Sequence, residues 1–153
     1  MHRSRAHSSR IASAILLLIA WQSGCDSRGI ASVESLEDGQ PRTVPLTFYS
    51  LDGRRDGDRV NAALEFRDPG GRDRLSIQLV IDLGPPIHLA GGTFHMQRSD
   101  KTQTGRVDST SLDFQAGQSG GMGLGGKFIL LDHAGKVSYR VHLPRTVIGP
   151  TYR

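Results

Sequence analysis

The chain has 153 residues, of which 19 are basic, 15 acidic and 19 glycine, with one cysteine and a formal charge of +4. A lone cysteine excludes an internal disulfide framework and any metal site built from several thiolates. Three of the basic residues, Arg3, Arg5 and Arg10, lie in the first ten positions, so the remainder is nearly neutral and offers no broad basic field for nucleic acid.

Residues 1–10, MHRSRAHSSR, carry no acid, and the next ten, IASAILLLIA, are an uninterrupted apolar run. A basic start followed by a short apolar segment is the layout of an export signal. Even extended by Trp21, the run falls short of the roughly 20 residues a helix needs to cross about 30 Å of hydrocarbon. It ends in Gln22-Ser23-Gly24-Cys25, and this ending resembles the lipobox of bacterial lipoproteins. The resemblance covers the signal alone. It implies cleavage before Cys25, lipidation of the Cys25 thiol, and a chain lipid-anchored to a membrane of the bacterial cell envelope, with its domain in the periplasm or otherwise outside the cytoplasmic membrane. Gln22 stands where such signals usually carry a Leu-like residue, and Asp26 resembles the residue that retains some proteobacterial lipoproteins at the inner membrane. Removal of residues 1–24 takes away three basic residues and no acid, which lowers the formal charge from +4 to +1.

Residues 26–41, DSRGIASVESLEDGQP, are small, polar and acidic, and with Cys25 they read as a lipidated tether over 25–41. An edge strand through Ile30 and Val33 is the alternative for this segment, although it lacks alternation. Residues 42–153 then form one β-domain, long enough for a single core.

From Arg42 onward the apolar period is two. Val44, Leu46 and Phe48 alternate with Thr43, Thr47 and Tyr49, while Val60, Ala62, Leu64 and Phe66 alternate with Asn61, Ala63, Glu65 and Arg67. Between these runs LDGRRDGDR reads as a long charged hairpin loop. Leu75, Ile77, Leu79 and Ile81 form a third run, joined to the second by the turn Asp68-Pro69-Gly70-Gly71. Gly84-Pro85-Pro86 stops it, because proline cannot donate to a ladder. Phe94 with Met96, and Leu112 with Phe114, mark two further strands around a polar ribbon expected to project from the sheet. Lys127 to Leu131 reads as a strand buried on both faces. The turn Asp132-His133-Ala134-Gly135 leads to Val137, Tyr139, Val141 and Leu143, alternating with Ser138, Arg140 and His142; Pro144 is expected to end that strand, and Val147-Ile148 to add an edge segment. No helix-length period follows the signal. The expected architecture is all-β, an antiparallel sandwich or small barrel of about seven or eight strands after the signal and tether.

The stretch QAGQSGGMGLGGKF, residues 115–128, satisfies three glycine-based patterns. Gly117-x-Ser119-x-Gly121 fits a hydrolase elbow, Gly121-x-Gly123-x-x-Gly126 a dinucleotide fingerprint, and Gly121 to Lys127 most of a phosphate loop. Each needs a helix directly after it, whereas here a strand follows, and Phe128 occupies the place of the magnesium-binding Ser or Thr. Six glycines within residues 117–126 satisfy such patterns by density alone. What remains is a segment with little side-chain bulk, either mobile or allowing another backbone to come close.

Other constellations are weak. His88, His95, His133 and His142, with Met96 and Met122, are the soft ligands after the signal, and only a His95–His142 pair across neighbouring strands would start a metal site. Asp52, Asp56 and Asp58 lack EF-hand spacing and sit beside Arg54 and Arg55. Glu65 is the one carboxylate inside a well-marked strand. The expected function is a non-catalytic binding or accessory module with no cofactor, touching the membrane through its lipid and an envelope protein through its loops, with no nucleic-acid partner. The expected binding surface is Gly117, Gln118, Ser119, Gly120, Gly121, Gly123, Gly125 and Gly126, with Arg140 and His142. A small envelope serine hydrolase using Ser119 with His133 or His142, and a periplasmic metal-binding protein, are the alternatives.

Overall fold

The computed structural model describes residues 30–116 and 121–148, which form a single antiparallel sheet of nine strands with no helix among the described residues. In chain order these are β1 (Ser32–Ser35), β2 (Arg42–Val44), β3 (Thr47–Asp56), β4 (Arg59–Arg67), β5 (Arg74–Asp82), β6 (His88–Arg98), β7 (Lys101–Ala116), β8 (Met122–Leu131) and β9 (Val137–Ile148). Their spatial order is β2-β1-β9-β8-β7-β6-β5-β4-β3. Seven consecutive strands form a hairpin meander, and β9 then pairs with β1, the first strand in the chain. The two edge strands, β2 and β3, are separated in sequence only by Pro45-Leu46, so the sheet is curled far enough for its edges to share one short connection.

One curled sheet, not two stacked ones, is therefore the architecture, and the sandwich alternative drops out. The count of nine exceeds the expected seven or eight because β1 and β2 come from short segments. Ser32–Ser35 lies in the stretch read as tether. It carries one buried apolar residue, Val33, which faces Val44 on β2 and Val141 on β9. A strand with a single core residue shows no alternation to read.

The core lies on the inner face of the curl. Val60, Ala62, Leu64 and Phe66 of β4 and Leu75, Ile77, Leu79 and Ile81 of β5 are all buried, in register with one another, as the period-two pattern requires. Phe94 and Met96 of β6, Phe128 and Leu130 of β8 and Tyr139, Val141 and Leu143 of β9 complete the wall. Phe48 packs edge-on against Phe66, and Phe94 against Tyr139, with ring centroids 5.7 and 6.2 Å apart.

Turn chemistry behaves as the sequence implies. Gly71 and Gly135 take positive φ values of 69° and 80° in the β4–β5 and β8–β9 turns. Four other expectations are corrected. LDGRRDGDR is strand up to Asp56, and the β3–β4 connection is only Gly57-Asp58, with Gly57 at φ 58°. The polar ribbon does not project; β6 and β7 pair from Thr93↔Arg106 to Arg98↔Lys101 within the sheet, with His95, Gln97, Thr102 and Thr104 on its outer face and Lys101 and Gln103 on the side of the buried Met96. Lys127–Leu131 is one-sided over most of its length, since Ile129 points outward and is only half-buried. Strand β9 runs through Pro144, because β8 and β9 shift register there: Leu124 pairs with Thr146 and Gly126 with Leu143, so the proline sits at a bulge where no ladder donor is needed.

Curvature this tight brings backbones close. A Cβ on Gly105 of β7 would overlap the Leu131 carbonyl oxygen and lie 2.8 Å from the Phe94 ring, whereas one on Gly91 of β6 would meet nothing within 4 Å. Gly105→Ala is accordingly expected to destabilise the fold by about 3 kcal/mol, as overpacking against an immovable backbone does. Gly91→Ala should change it by less than about 0.5 kcal/mol, and urea midpoints of the two variants compare them directly.

Candidate functional site

Strands β1, β9, β8 and β7 carry their even-spaced polar residues on the outer face. Register places Ser32 beside His142, His142 beside Lys127, and Lys127 beside Ser111; one row further along, Glu34 faces Arg140 and Arg140 faces Ile129. All of these except Ser111, together with Thr110 and Val137, line a groove of about 690 Å³. Arg140 and His142, the two strand residues expected to form a binding surface, are thus brought together, and Lys127 joins them. None of the three is ion-paired; the ion pairs among the described residues join other groups. The groove is built on regular ladder rather than loop, so its geometry is fixed by the sheet.

The glycine segment is divided. Gly117, Gln118, Ser119 and Gly120 lie outside the described residues, as does Cys25. Gly123, Gly125 and Gly126 are strand residues of β8, and Gly121 immediately precedes it. The backbone that approaches them belongs to the protein's own sheet. Gly126, at φ 149°, sits in the bulge against Ser111, and a Cβ on Gly125 would lie 2.8 Å from the Arg145 nitrogen. Arg145 reaches from β9 across β8 to Asp113 on β7, donating from Nε and Nη2 at 2.8 and 2.7 Å. Its side chain passes over Gly123, where a Cβ would stand 3.6 Å from Arg145 Cγ. A methyl there would make ordinary van der Waals contact, so the crossing itself does not demand glycine at 123. The hydrogen bonds from Arg145 hold the Asp113 carboxyl below its ordinary range, in an exposed pair that contributes little stability. Gly125 and Gly126 are therefore explained by packing, and the part of the expected surface that converges is Arg140 and His142.

The other constellations resolve separately. His95 and His142 are not on neighbouring strands, since β7 and β8 lie between β6 and β9. His133 sits in the β8–β9 turn, its Nε2 3.0 Å from Thr104 Oγ1, while His142 is on β9 facing the groove. Met96 is buried in the core. No group of three or more His, Cys, Asp or Glu is placed to hold a metal among the described residues. Asp52 and Asp56 lie four residues apart on β3, and Asp58 lies in the turn beyond. Glu65 accepts hydrogen bonds from Arg67 and Arg74, which hold its carboxyl below its ordinary 4.5, and Arg67 in turn lies 3.6 Å from the Tyr49 ring centre. A general acid needs the opposite shift.

Sequence reasoning missed a polar cluster at the end of the curl where β9 begins. The Tyr139 hydroxyl, buried, donates to Glu37 Oε1 at 2.9 Å; Lys101 Nζ donates to the same oxygen at 2.6 Å, and Gln103 Nε2 to Ser138 Oγ at 2.7 Å. Burial raises the Glu37 carboxyl, but the hydrogen bonds from Lys101 and Tyr139, with the charges of Lys101 and Arg98, outweigh it and hold it below 4.5. Burial, then the Glu37 acceptor and charge, push the Tyr139 hydroxyl up to about 12. Only the hydrophobic pattern marked Tyr139, and nothing in the sequence paired it with a residue 102 positions away.

The chain matches no family model, no curated protein and no solved structure.

Because Glu37 is lowered in the folded state, its stabilising contribution is present above pH 4.5 and lost as pH falls through the lowered value. Because Tyr139 is raised, its contribution is lost as pH climbs from 10 through about 12. Tyr139→Phe is expected to cost about 1 kcal/mol at neutral pH and to flatten the alkaline limb, read as urea midpoints across the pH range.

Proposed function

We propose that this chain is a small non-catalytic binding or accessory module, held at a bacterial envelope membrane by acylation of Cys25, that meets an envelope protein through the outer-face groove between β1, β9, β8 and β7. The signal-like residues 1–24 and the lipobox-like Gln22-Ser23-Gly24-Cys25 support the anchoring. One observation carries the choice of surface: Lys127, Arg140 and His142, basic groups outside every ion pair among the described residues, converge beside the half-buried Ile129 on regular strand. Elsewhere on the outer face Arg67 and Arg74 are matched by Glu65, and Arg145 by Asp113. Unmatched charge around an apolar centre is the composition of a recognition patch.

With β1 starting at Ser32, the tether between lipid and sheet is residues 26–31, a reach of about 20 Å when extended. The groove, whose rim includes Ser32 itself, is then held close to the bilayer.

Globomycin treatment is expected to accumulate unprocessed precursor, and radiolabelled palmitate to appear on the wild-type chain and not on Cys25→Ser; an unaffected precursor and an unlabelled chain reject the anchoring. A photocrosslinker at Ile129 is expected to give a discrete adduct in native membranes that falls about tenfold when Lys127 and Arg140 are both changed to Ala. Equal adducts from Gln78, on the outer face of β5, reject the surface.

A further inference from the structure

The two edges of the sheet differ. β2 offers three residues, and its far end runs directly into the β3 connection, whereas β3 offers ten. The β3 bulge lies at Tyr49, so Ser50 to Asp56 is a regular ladder on the β4 side, and among the described residues no strand hydrogen-bonds to it on the other. An unpaired strand of this length is a template for another strand.

Which groups face the open side follows from the turn. The two-residue connection Gly57-Asp58 is flanked by the pair Asp56↔Arg59. In such a hairpin the flanking pair is hydrogen-bonded, and bonding alternates along the strand. Asp56, Arg54 and Asp52 thus direct their N–H and C=O groups to β4, and Arg55, Gly53 and Leu51 direct theirs outward. The side-chain faces are also fixed. Leu51, Gly53 and Arg55 pair with the inward residues Leu64, Ala62 and Val60, so Asp52, Arg54 and Asp56 lie on the outer face.

We infer that β3 pairs antiparallel with β3 of a second copy of this chain, about a two-fold axis at Gly53. In that register Gly53 opposes Gly53 of the other copy and Leu51 opposes Arg55. All the outward-directed amides and carbonyls of these residues are matched, giving about six hydrogen bonds. On the outer face Asp52 opposes Arg54 of the other copy, twice. A shift of the axis to Arg54 sets arginine on arginine and Asp52 on Asp56, and a shift to Asp52 sets aspartate on aspartate. Opposite charges directly across a ladder stabilise it and like charges do the reverse, so the sequence of β3 selects one register. Gly53 at the axis carries no side chain to crowd its counterpart, and an open concavity of about 780 Å³ lies beside it on the outer face, lined by Asp52, Arg54, Asn61, Ala63 and Gln78. A two-fold pairing closes on itself, so it ends the sheet instead of propagating it.

The test uses the purified full-length chain. Gly53→Cys is expected to form a disulfide dimer under mild oxidation, since paired Cα atoms there stand about 5.5 Å apart. The wild-type chain, whose thiol is at Cys25, sets the background, and Asn61→Cys on the next strand is expected to stay at that level. In the Gly53→Cys chain, Asp52→Arg and Arg54→Asp should each lower the dimer fraction about tenfold, and the two together should restore it by re-forming the pairs with their signs exchanged. Circular dichroism establishes that each variant keeps its sheet. Dimer no greater than the wild-type background, equal dimer from Asn61→Cys, or a double exchange that fails to restore what either single change removes, overturns the pairing.

Discussion

The structure depends on a short length of chain. β2 and β3 are the two edges of a nine-stranded sheet and yet are only two residues apart in sequence. A flat sheet of nine strands at about 4.8 Å spacing would hold its edges nearly 40 Å apart, far beyond the reach of Pro45-Leu46. The sheet has to curl, and the devices that curl it are visible in the register: bulges in β3, β6, β7 and β9, and glycines where neighbouring backbones converge. Once curled, the inner face becomes a closed apolar interior, in which Leu46 of the connection is itself buried. The same closure brings the β1–β2 connection over the start of β9, so that Glu37 meets Tyr139 and Lys101. That cluster fastens the closing strands to β7 and β9 with charge-assisted hydrogen bonds, which are about twice as strong as neutral ones.

The inward-facing half of the protein was readable because burial imposes a period. β4 and β5 each place four apolar residues on one side, and no other arrangement of Val60–Phe66 and Leu75–Ile81 would bury them together. What was not readable has one cause in each case. β1 is too short for a period to appear, and the run read through Val44, Leu46 and Phe48 as one strand is divided between β2, the Pro45-Leu46 connection and β3, because the chain there passes from one sheet edge to the other. β7 is sixteen residues of mostly polar sequence, held by its neighbours on both sides and not by its own propensity, so it looks like ribbon until its partners are known. Pro144 signals a strand end from local geometry, but a bulge removes the need for its missing donor. The groove was half legible: Arg140 and His142 alternate with buried residues and so had to point outward. Lys127 looked like the entry to a strand buried on both faces, and Glu34 like tether.

The glycines of β8 show how a motif can be real in sequence and structural in origin. Gly125 and Gly126 mark a bulge and a crossing, and Gly123 lies under Arg145 on its way to Asp113. Three known patterns match the segment because each of them also uses glycine to let something approach the backbone. Here the approaching groups are Ser111 and Arg145 of the adjacent strands. Only the chemistry of what lies beyond the glycines separates these cases, and in this chain it is a strand and not the helix that phosphate or nucleophile sites require.

A sheet that fills its own interior leaves an outer face and any open edge for contact with other molecules. Part of the surface charge is matched locally: Glu65 with Arg67 and Arg74, Asp113 with Arg145, Asp73 with Arg98. Two unpaired places stand out. One is the strip holding Lys127, Arg140 and His142, where the only nearby acid on β1 is Glu34, in register with Arg140 but not ion-paired to it. The other is β3, where Asp52 and Arg54 alternate on the same strand and neither is ion-paired among the described residues. Asp52 and Arg54 point the same way, two apart on one strand, and are not paired with each other as Glu65 and Arg67 are on β4; a neighbouring strand would set an opposite charge directly across from each. The strands under the groove are paired on both sides, whereas β3 is paired on one side only among the described residues. The two proposed contacts therefore differ in kind, the first a surface laid over the sheet and the second a strand added to it.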